Sequence, residues 1–412
     1  VIKRMAAIVS TLILASGCVG SSLTPKDTGM EVKSSPLPAR TETAPPPISQ
    51  LHATAEQEPQ PLQQQTQPQQ QKQISKVTLG AIGDILIHDK VYLDAKQKDG
   101  TYNFKPIFEG VKALLQAPDI LVANQETMIG GKEMRLSSYP TFNSPHEIGD
   151  ALKYTGVDVV TIANNHALDR GEKVIQSALS YWDTLGIPYT GAFKSQNDRD
   201  NLRTLTKNGI TFAFLSYTYG TNGISTPAGK PFLVNRIDDR QIRSDVEQAK
   251  PLADVIVVAM HWGNEYQRLP DKNQTALAHQ LADMGVHILI GNHPHVLQPP
   301  AWVEGKNGHR TFVIYSLGNF LSAQINLYKQ VGGMATVEVV KTTTSKTKQI
   351  EFSNPSFLPT YTYSQQGKQF QILSMDRLTN DQLPQASSNY QMIMKHMKTY
   401  IPELHMITSP KE

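Results

Sequence analysis

The chain is short of several things, and each shortage narrows what it can be. One cysteine, Cys18, stands in 412 residues, so no second thiol is present to form a disulfide within the chain. Net charge is small, formally +3, and no basic cluster is interleaved with aromatics, so nothing points to nucleic acid. Long apolar runs are also missing. The stretch from Met5 to Ala15 is too short to cross a bilayer as a helix.

That short run has another meaning. Lys3 and Arg4 precede it and small residues follow, the layout of a cleavable signal peptide over residues 1–17. Ala15-Ser16-Gly17-Cys18 resembles a bacterial lipobox, which implies acylation of Cys18 and a lipid anchor in the membrane on the extracytoplasmic side. Acylation also disposes of a free thiol that an oxidising compartment would attack. More than one acyl chain makes such an anchor stable. From Val19 to Ser75 the chain is rich in Pro, Ser, Thr and Gln, with too few apolar residues for a core. Residues 18–75 therefore read as a lipidated cysteine and a coil tether, reaching about 40 Å. A Gln-rich tract can also aggregate, but interspersed prolines oppose stacking.

After Ser75, short apolar runs alternate with helical patterns, the signature of an α/β domain. The spacing predicts strands at Val77–Ile87, Ile120–Ala123, Val157–Ala163, Thr211–Tyr217, Val255–Ala259, Val286–Ile290, Thr311–Tyr315 and Met334–Val340. One helix is predicted where Val174, Ile175, Ala178, Leu179, Trp182 and Leu185 recur before Gly186, another from Gln274 to Met284 before Gly285. The domain is placed at residues 76–340. Residues 341–412 read as Thr/Ser/Lys-rich turns and a last helix at Ser388–Met397, an extension packing on the domain or covering a sheet edge.

The ends of the strands carry the chemistry. They lead into Gly83-Asp84 and His88, Asn124-Gln125-Glu126, Asn164-Asn165-His166, His261-Trp262-Gly263, Asn292-His293-Pro294-His295 and Ser316-Leu317-Gly318-Asn319. Ligands of α/β folds bind beyond the carboxyl ends of strands, where such groups can converge. Singly, each has a plainer reading: Asp84 as a turn or cap, Asn-Asn-His as a turn, Asn319 as either a turn residue or the support of a ligand. His293-Pro294-His295, taken as an extended segment, would present two imidazoles. Imidazole, carboxylate and amide oxygen together suit Mn, Fe or Zn rather than Ca or Mg. His146 and His309 read as structural, His309 in an exposed hairpin loop, and His279 as an exposed helix position.

These blocks, continued by Ala167-Leu168-Asp169-Arg170-Gly171, Asn264-Glu265-Tyr266, Val296-Leu297-Gln298 and Phe320, resemble in order the CapA/PgsA family of poly-γ-glutamate capsule biosynthesis proteins, which belongs with the calcineurin-like metallophosphatases. The resemblance implies two mixed β-sheets face to face, flanked by helices, and two divalent transition metal ions at the strand ends. Asp84 and His295 would hold one, Asn165, His261 and His293 the other, with Glu126 in the bridging position that an aspartate usually fills. His88, four residues after Asp84, stands near where many metallophosphatases place a further histidine ligand. His166 would be the general acid of a hydrolase acting on phosphoester-type bonds, with Asp169 either orienting it or capping the next helix. Glu265, Tyr266 and Gln298 are implied as supporting or substrate contacts. The family setting favours a non-catalytic component that binds the anionic polymer or its synthase, while the retained His/Asp/Glu/Asn set favours the hydrolase. A solute-binding lipoprotein has no need of so many histidines.

Overall fold

A computed structural model of the chain describes residues 72–409. The signal segment, Cys18 and the tether as far as residue 71 lie outside the described residues.

The strands are β1 Gln73–Ile85, β2 Ile120–Gln125, β3 Val159–Thr161, β4 Tyr189–Thr190, β5 Arg203–Lys207 and β6 Ile210–Thr218. They continue as β7 Val255–His261, β8 Ile288–Asn292, β9 Leu297–Gln298, β10 Ala301–Glu304, β11 Arg310–Ile314 and β12 Ser316–Leu317. The last are β13 Asn319–Leu321, β14 Val331–Thr343, β15 Lys348–Gln365, β16 Lys368–Ser374 and β17 His405–Met406. One sheet runs β16-β15-β14-β1-β2-β3-β4, with β13 beside β1 and β17 beside β15; a second runs β10-β11-β8-β7-β6-β5, and β12 pairs with β9. Both are mixed. β1 is parallel to β2 but antiparallel to β14, and β6, β7, β8 and β11 are parallel while β5 and β10 run against their neighbours.

Period-two alternation sorts the strand side chains into layers. Ile120 and Val122 of β2, with Val257, Ile288 and Ile290 of the other sheet, lie in the core between the sheets. Leu121 and Ala123 turn the other way, onto Ile175, Leu179 and Trp182 of helix Gly171–Leu185. Val258 and Leu289 pack outward against Leu281 of helix Lys272–Met284. The result is two mixed sheets face to face with helices outside, as the resemblance implies. Each helix stops at a glycine in the left-handed region, Gly186 at φ 67° and Gly285 at φ 90°, whose N–H turns back to the last carbonyls.

All eight expected strands are present, with ends shifted by a few residues, and the sheet runs past the expected domain limits at both ends. β1 begins at Gln73, where it pairs with Thr343 of β14, so the sheet takes up the last residues assigned to the tether. Beyond Val340 the chain does not dissolve into turns: β15 pairs along β14, and β16 along β15, extending the first sheet. The exposed polar residues that open β15, Lys348, Gln349 and Glu351, obscured this, although Ile350 and Phe352 among them pack against the core. The tail then returns to the core. Ile393 and Met397 of helix Ala386–Met397, with Ile401 and Leu404, complete the layer between the sheets.

At the strand ends backbones touch where no side chain would fit. A Cβ on Gly83 would lie 2.2 Å from Gly318 O and 2.7 Å from Leu317 O, and one on Gly291 2.0 Å from Tyr315 O. Gly83→Ala must therefore force β1 away from Gly318, whose carbonyl accepts the Asp84 N–H at 2.8 Å. Overpacking of this kind should cost at least about 2 kcal/mol. We expect the variant to melt several degrees lower in calorimetry, with Asp84 displaced.

Candidate metal centre

Six of the residues singled out in the sequence converge at the carboxyl ends of β1, β2, β3, β7 and β8. Asp84, Glu126, Asn165, His261, His293 and His295 are all buried. Donor atoms of Glu126, His261 and His293 lie within 4.8 Å of one another, as do those of Asp84, Glu126 and His295. The two groups share Glu126. Its Oε1 stands between them, 3.6 Å from His261 Nε2 and 3.7 Å from His295 Nε2. A third grouping, Glu265 with His293 and His295, faces outward, since Glu265 is exposed.

Each side chain is held from its own strand end. Asn124 Nδ2 donates to Asp84 Oδ1 at 2.8 Å, and the His293 N–H reaches Asp84 Oδ2 at 3.4 Å. His295 Nδ1 lies 3.0 Å from Asn319 Oδ1 and 3.3 Å from Asp84 Oδ2. Asn319, left open between turn and support, thus fixes an imidazole. His293-Pro294-His295 is not extended: φ is 97° at His293 and 57° at His295, a conformation costly for residues other than glycine. The constraint comes from Asp84 on one side and from the Tyr266 N–H, which donates to Pro294 O at 2.7 Å, on the other.

The Asn-Asn-His turn divides its labour. Asn164 builds it, taking the His166 N–H on Oδ1 at 2.9 Å and donating Nδ2 to Gln125 O at 3.1 Å. Asn165 Oδ1 lies 2.8 Å from His261 Nε2. His166 Nδ1 lies 2.7 Å from Asp169 Oδ2, which also accepts the Phe142 N–H at 2.8 Å. Asp169 therefore holds His166 and does not cap helix Gly171–Leu185, whose N-terminal residue Arg170 makes no side-chain cap.

His88 stands apart. Its Nδ1 faces Leu86 O at 3.1 Å, its ring packs edge-on to Phe142, and burial lowers it to about 4; it enters none of the donor groups. Gln298 is buried away from the cluster, donating to Gln267 O and accepting from Gln274. His146 stacks on Tyr181. His309 is less exposed than its hairpin suggested, because its Nε2 meets Val286 O at 2.7 Å.

Several contributors were not foreseen. Asn124 supports Asp84, the Tyr219 ring lies 4.6 Å from that of His293, and Asn222 Oδ1 accepts from Asn165 Nδ2 at 3.2 Å. Asn292, at the end of β8, buries both its amide atoms without a partner. Tyr219 and Asn222 follow β6 in the turn-forming stretch Tyr-Gly-Thr-Asn-Gly, which contains no carboxylate or imidazole to draw notice.

The electrostatics fit a cation. Burial raises the Glu126 carboxyl well above its ordinary range, and neither oxygen has a hydrogen-bond partner. Burial lowers His293 to about 3 and pushes His261 well below its usual value; the Nδ1 of each is unpartnered. At His295 burial acts downward, but Glu126 and Asp84 outweigh it and hold the ring at about 9. Carboxylate oxygens and neutral imidazole nitrogens buried without partners are costly, and a dication among them would offset that cost. The 2.8 Å between Asn165 Oδ1 and His261 Nε2 also suits two donors on one ion. Ligands at about 2.1 Å from a metal and at right angles to each other are about 3 Å apart.

Two mixed sheets packed face to face, with helices outside and a His/Asp/Glu/Asn cluster at the inner strand ends, define a two-sheet α/β protein with a candidate metal centre. The family described as bacterial capsule synthesis protein PGA_cap matches residues 78–324, and the chain belongs to that family. It is similar to the PGA biosynthesis protein CapA of Bacillus subtilis (strain 168), 31% identical over 259 residues, which is 59% of this chain and 62% of that protein. It is also similar to the capsule biosynthesis protein CapA of Bacillus anthracis, 28% identical over 291 residues, 66% of this chain and 69% of that one. The match thus spans less than two thirds of the first relative's length. Among solved structures, a 5'-nucleotidase precursor from Thermus thermophilus aligns with a TM-score of 0.42 and 14% identity, over 78% of this chain and 58% of that one.

Proposed function

We propose that the chain is a lipid-anchored, extracytoplasmic component of poly-γ-glutamate capsule synthesis whose buried cluster binds two divalent transition metal ions and hydrolyses a phosphoester-type bond. The observation that carries this reading is the pair of donor groups sharing Glu126, whose two oxygens are buried and unpartnered. Asp84 and His295 would hold one ion, Asn165, His261 and His293 the other, and Glu126 would lie between. Bound there, the ions would polarise substrate oxygens and make water acidic enough to attack at neutral pH.

The chain's own residues do the rest. Asp169 accepts a hydrogen bond from His166 Nδ1–H, so the proton delivered to a departing oxygen is the one on Nε2. Asp169 also offsets the charge of the imidazolium, and the Phe142 N–H and ring fix the pair in place. Tyr219 and Phe142 exclude water from the imidazoles they cover. Asn319 keeps His295 turned with Nε2 toward Glu126.

The reading is tested by metal analysis of the purified protein, joined to a screen of phosphoesters and γ-glutamyl substrates. Bound transition metal with metal-dependent phosphoester hydrolysis supports it. Bound metal without hydrolysis of any substrate favours the non-catalytic alternative, in which the chain binds the anionic polymer or its synthase. The anchor is tested separately. Cys18→Ala should abolish acyl labelling and release the protein from the membrane fraction, because the tether has no other apolar anchor. A wild type without acyl label, or a variant still retained after mild washing, would refute the lipoprotein assignment.

A further inference from the structure

We infer that Asn222 is a positioning residue that selects which end of the Asn165 carboxamide faces the cation site; the inference rests on the metal reading above. A carboxamide has a donor end and an acceptor end of nearly the same shape. Only the oxygen can ligate a cation. If the Asn165 amide rotated by half a turn, its NH2 would point at the site and repel the ion. Something must therefore hold the NH2 end outward, as ligands of metal sites are generally held by hydrogen bonds behind them.

Asn222 does this. Its Oδ1 accepts from Asn165 Nδ2 at 3.2 Å, while Asn165 Oδ1 faces His261 Nε2 at 2.8 Å. The same side chain reaches the proposed acid: Asn222 Nδ2 lies 3.3 Å from His166 Nδ1. That nitrogen already has Asp169 Oδ2 at 2.7 Å, so its proton is committed there and the Asn222 NH2 is a neighbour without a bond.

The loop that presents Asn222 is anchored on buried groups although Asn222 itself is exposed. Thr218 and Thr221 are buried; Thr218 Oγ1 donates to Gly220 O at 2.9 Å and Thr221 Oγ1 to Ile224 O at 2.6 Å. Arg236 clamps Thr221 and Ile224 from the far side, and the Tyr219 N–H bonds His261 O at 3.0 Å. Asn222 takes φ 49°, a left-handed conformation that asparagine tolerates better than most residues, and Gly223 follows at φ 77°. A loop leaving the second sheet at β6 thus completes a ligand that stands at the end of β3 in the first. Each sheet supplies what the other's donor needs.

The test compares Asn222→Gly with Asn222→Asp in the full chain, titrating Mn²⁺ and Co²⁺ calorimetrically and recording metal-free melting temperatures. Glycine keeps the left-handed backbone without strain but offers Asn165 no acceptor, so affinity at one of the two metal equivalents should fall about 10-fold to 100-fold. The other equivalent and the metal-free melting temperature should stay near wild type. Aspartate still accepts from Asn165 Nδ2 and should restore the affinity to within a few-fold. Wild-type affinity in Asn222→Gly would overturn the inference, and so would equal losses in both variants, which would reduce Asn222 to a loop residue. A wild type that binds neither ion refutes the metal reading itself, and this inference with it, before any variant is compared.

Discussion

Replacing His166 with alanine should leave bound metal in place and slow hydrolysis of esters with poor leaving groups about 100-fold to 10,000-fold. The asymmetry follows from geometry. His166 enters neither donor group that shares Glu126, and its Nδ1 is taken by Asp169. Removing it therefore takes away a proton donor and not a ligand. Activated esters, whose leaving groups depart without a proton, should be affected much less. A leaving-group plot measured on both proteins reads this directly. Equal loss across all leaving groups would mean that His166 serves binding, and loss of metal would make it a ligand.

Asp84→Ala and His293→Ala should each lower bound metal, and with it the metal-dependent part of thermal stability. A ligand bound only to the folded state stabilises by about 2.7 kcal/mol at 100 times its Kd. Wild-type protein should therefore melt higher when Mn²⁺ or Zn²⁺ is supplied, and the variants should lose most of that increment. Asp84 carries a second consequence. It accepts from Asn124 and from the His293 N–H and meets His295 Nδ1, so its loss frees three groups that now share it. His293→Ala leaves those contacts standing, and its metal-free melting temperature should exceed that of Asp84→Ala. If the wild type carries no transition metal after purification with metal supplied, the hydrolase reading fails and the scaffold reading takes its place. If metal is bound but the His166, Asp84 and His293 variants all support polymer production normally, the cluster has no part in that process.

The residues of the site were legible in the sequence to different degrees, for identifiable reasons. Groups with distinctive chemistry at the ends of apolar strands stood out: Asp84, Glu126, His261, His293 and His295 come together where the strand pattern placed them. The resemblance, and not the spacing, put His88 forward, and it stands past the end of β1, where its Nδ1 turns to Leu86 O. Spacing misled at His293-Pro294-His295, where alternation presumed an extended backbone and contacts with Asp84 and Tyr266 impose positive φ. The end of β6 was passed over because it offers only a tyrosine and an amide. Those groups acquire a role only once another strand brings histidines to them.

The order of blocks was thus enough to point to the family and, through it, to the two-sheet architecture, while the alternation of apolar residues pointed to an α/β domain and the polar residues after its strands to candidate donors. Each is written locally, in a strand's two-residue period or in a polar residue directly after it. Tertiary structure alone decided that residues 348–374 extend the first sheet, since the polar start of β15 is held by pairing with β14 and its apolar residues find the core only once the sheets pack. It alone decided that Asp169 holds His166 and does not cap a helix, that Asn319 backs His295, and that Asn222 backs Asn165. Such hydrogen bonds join residues as far apart as 57 positions, and an amide or carboxylate can satisfy either a local turn or a distant partner. Which one it serves is fixed only when the two sheets close on each other and bury it.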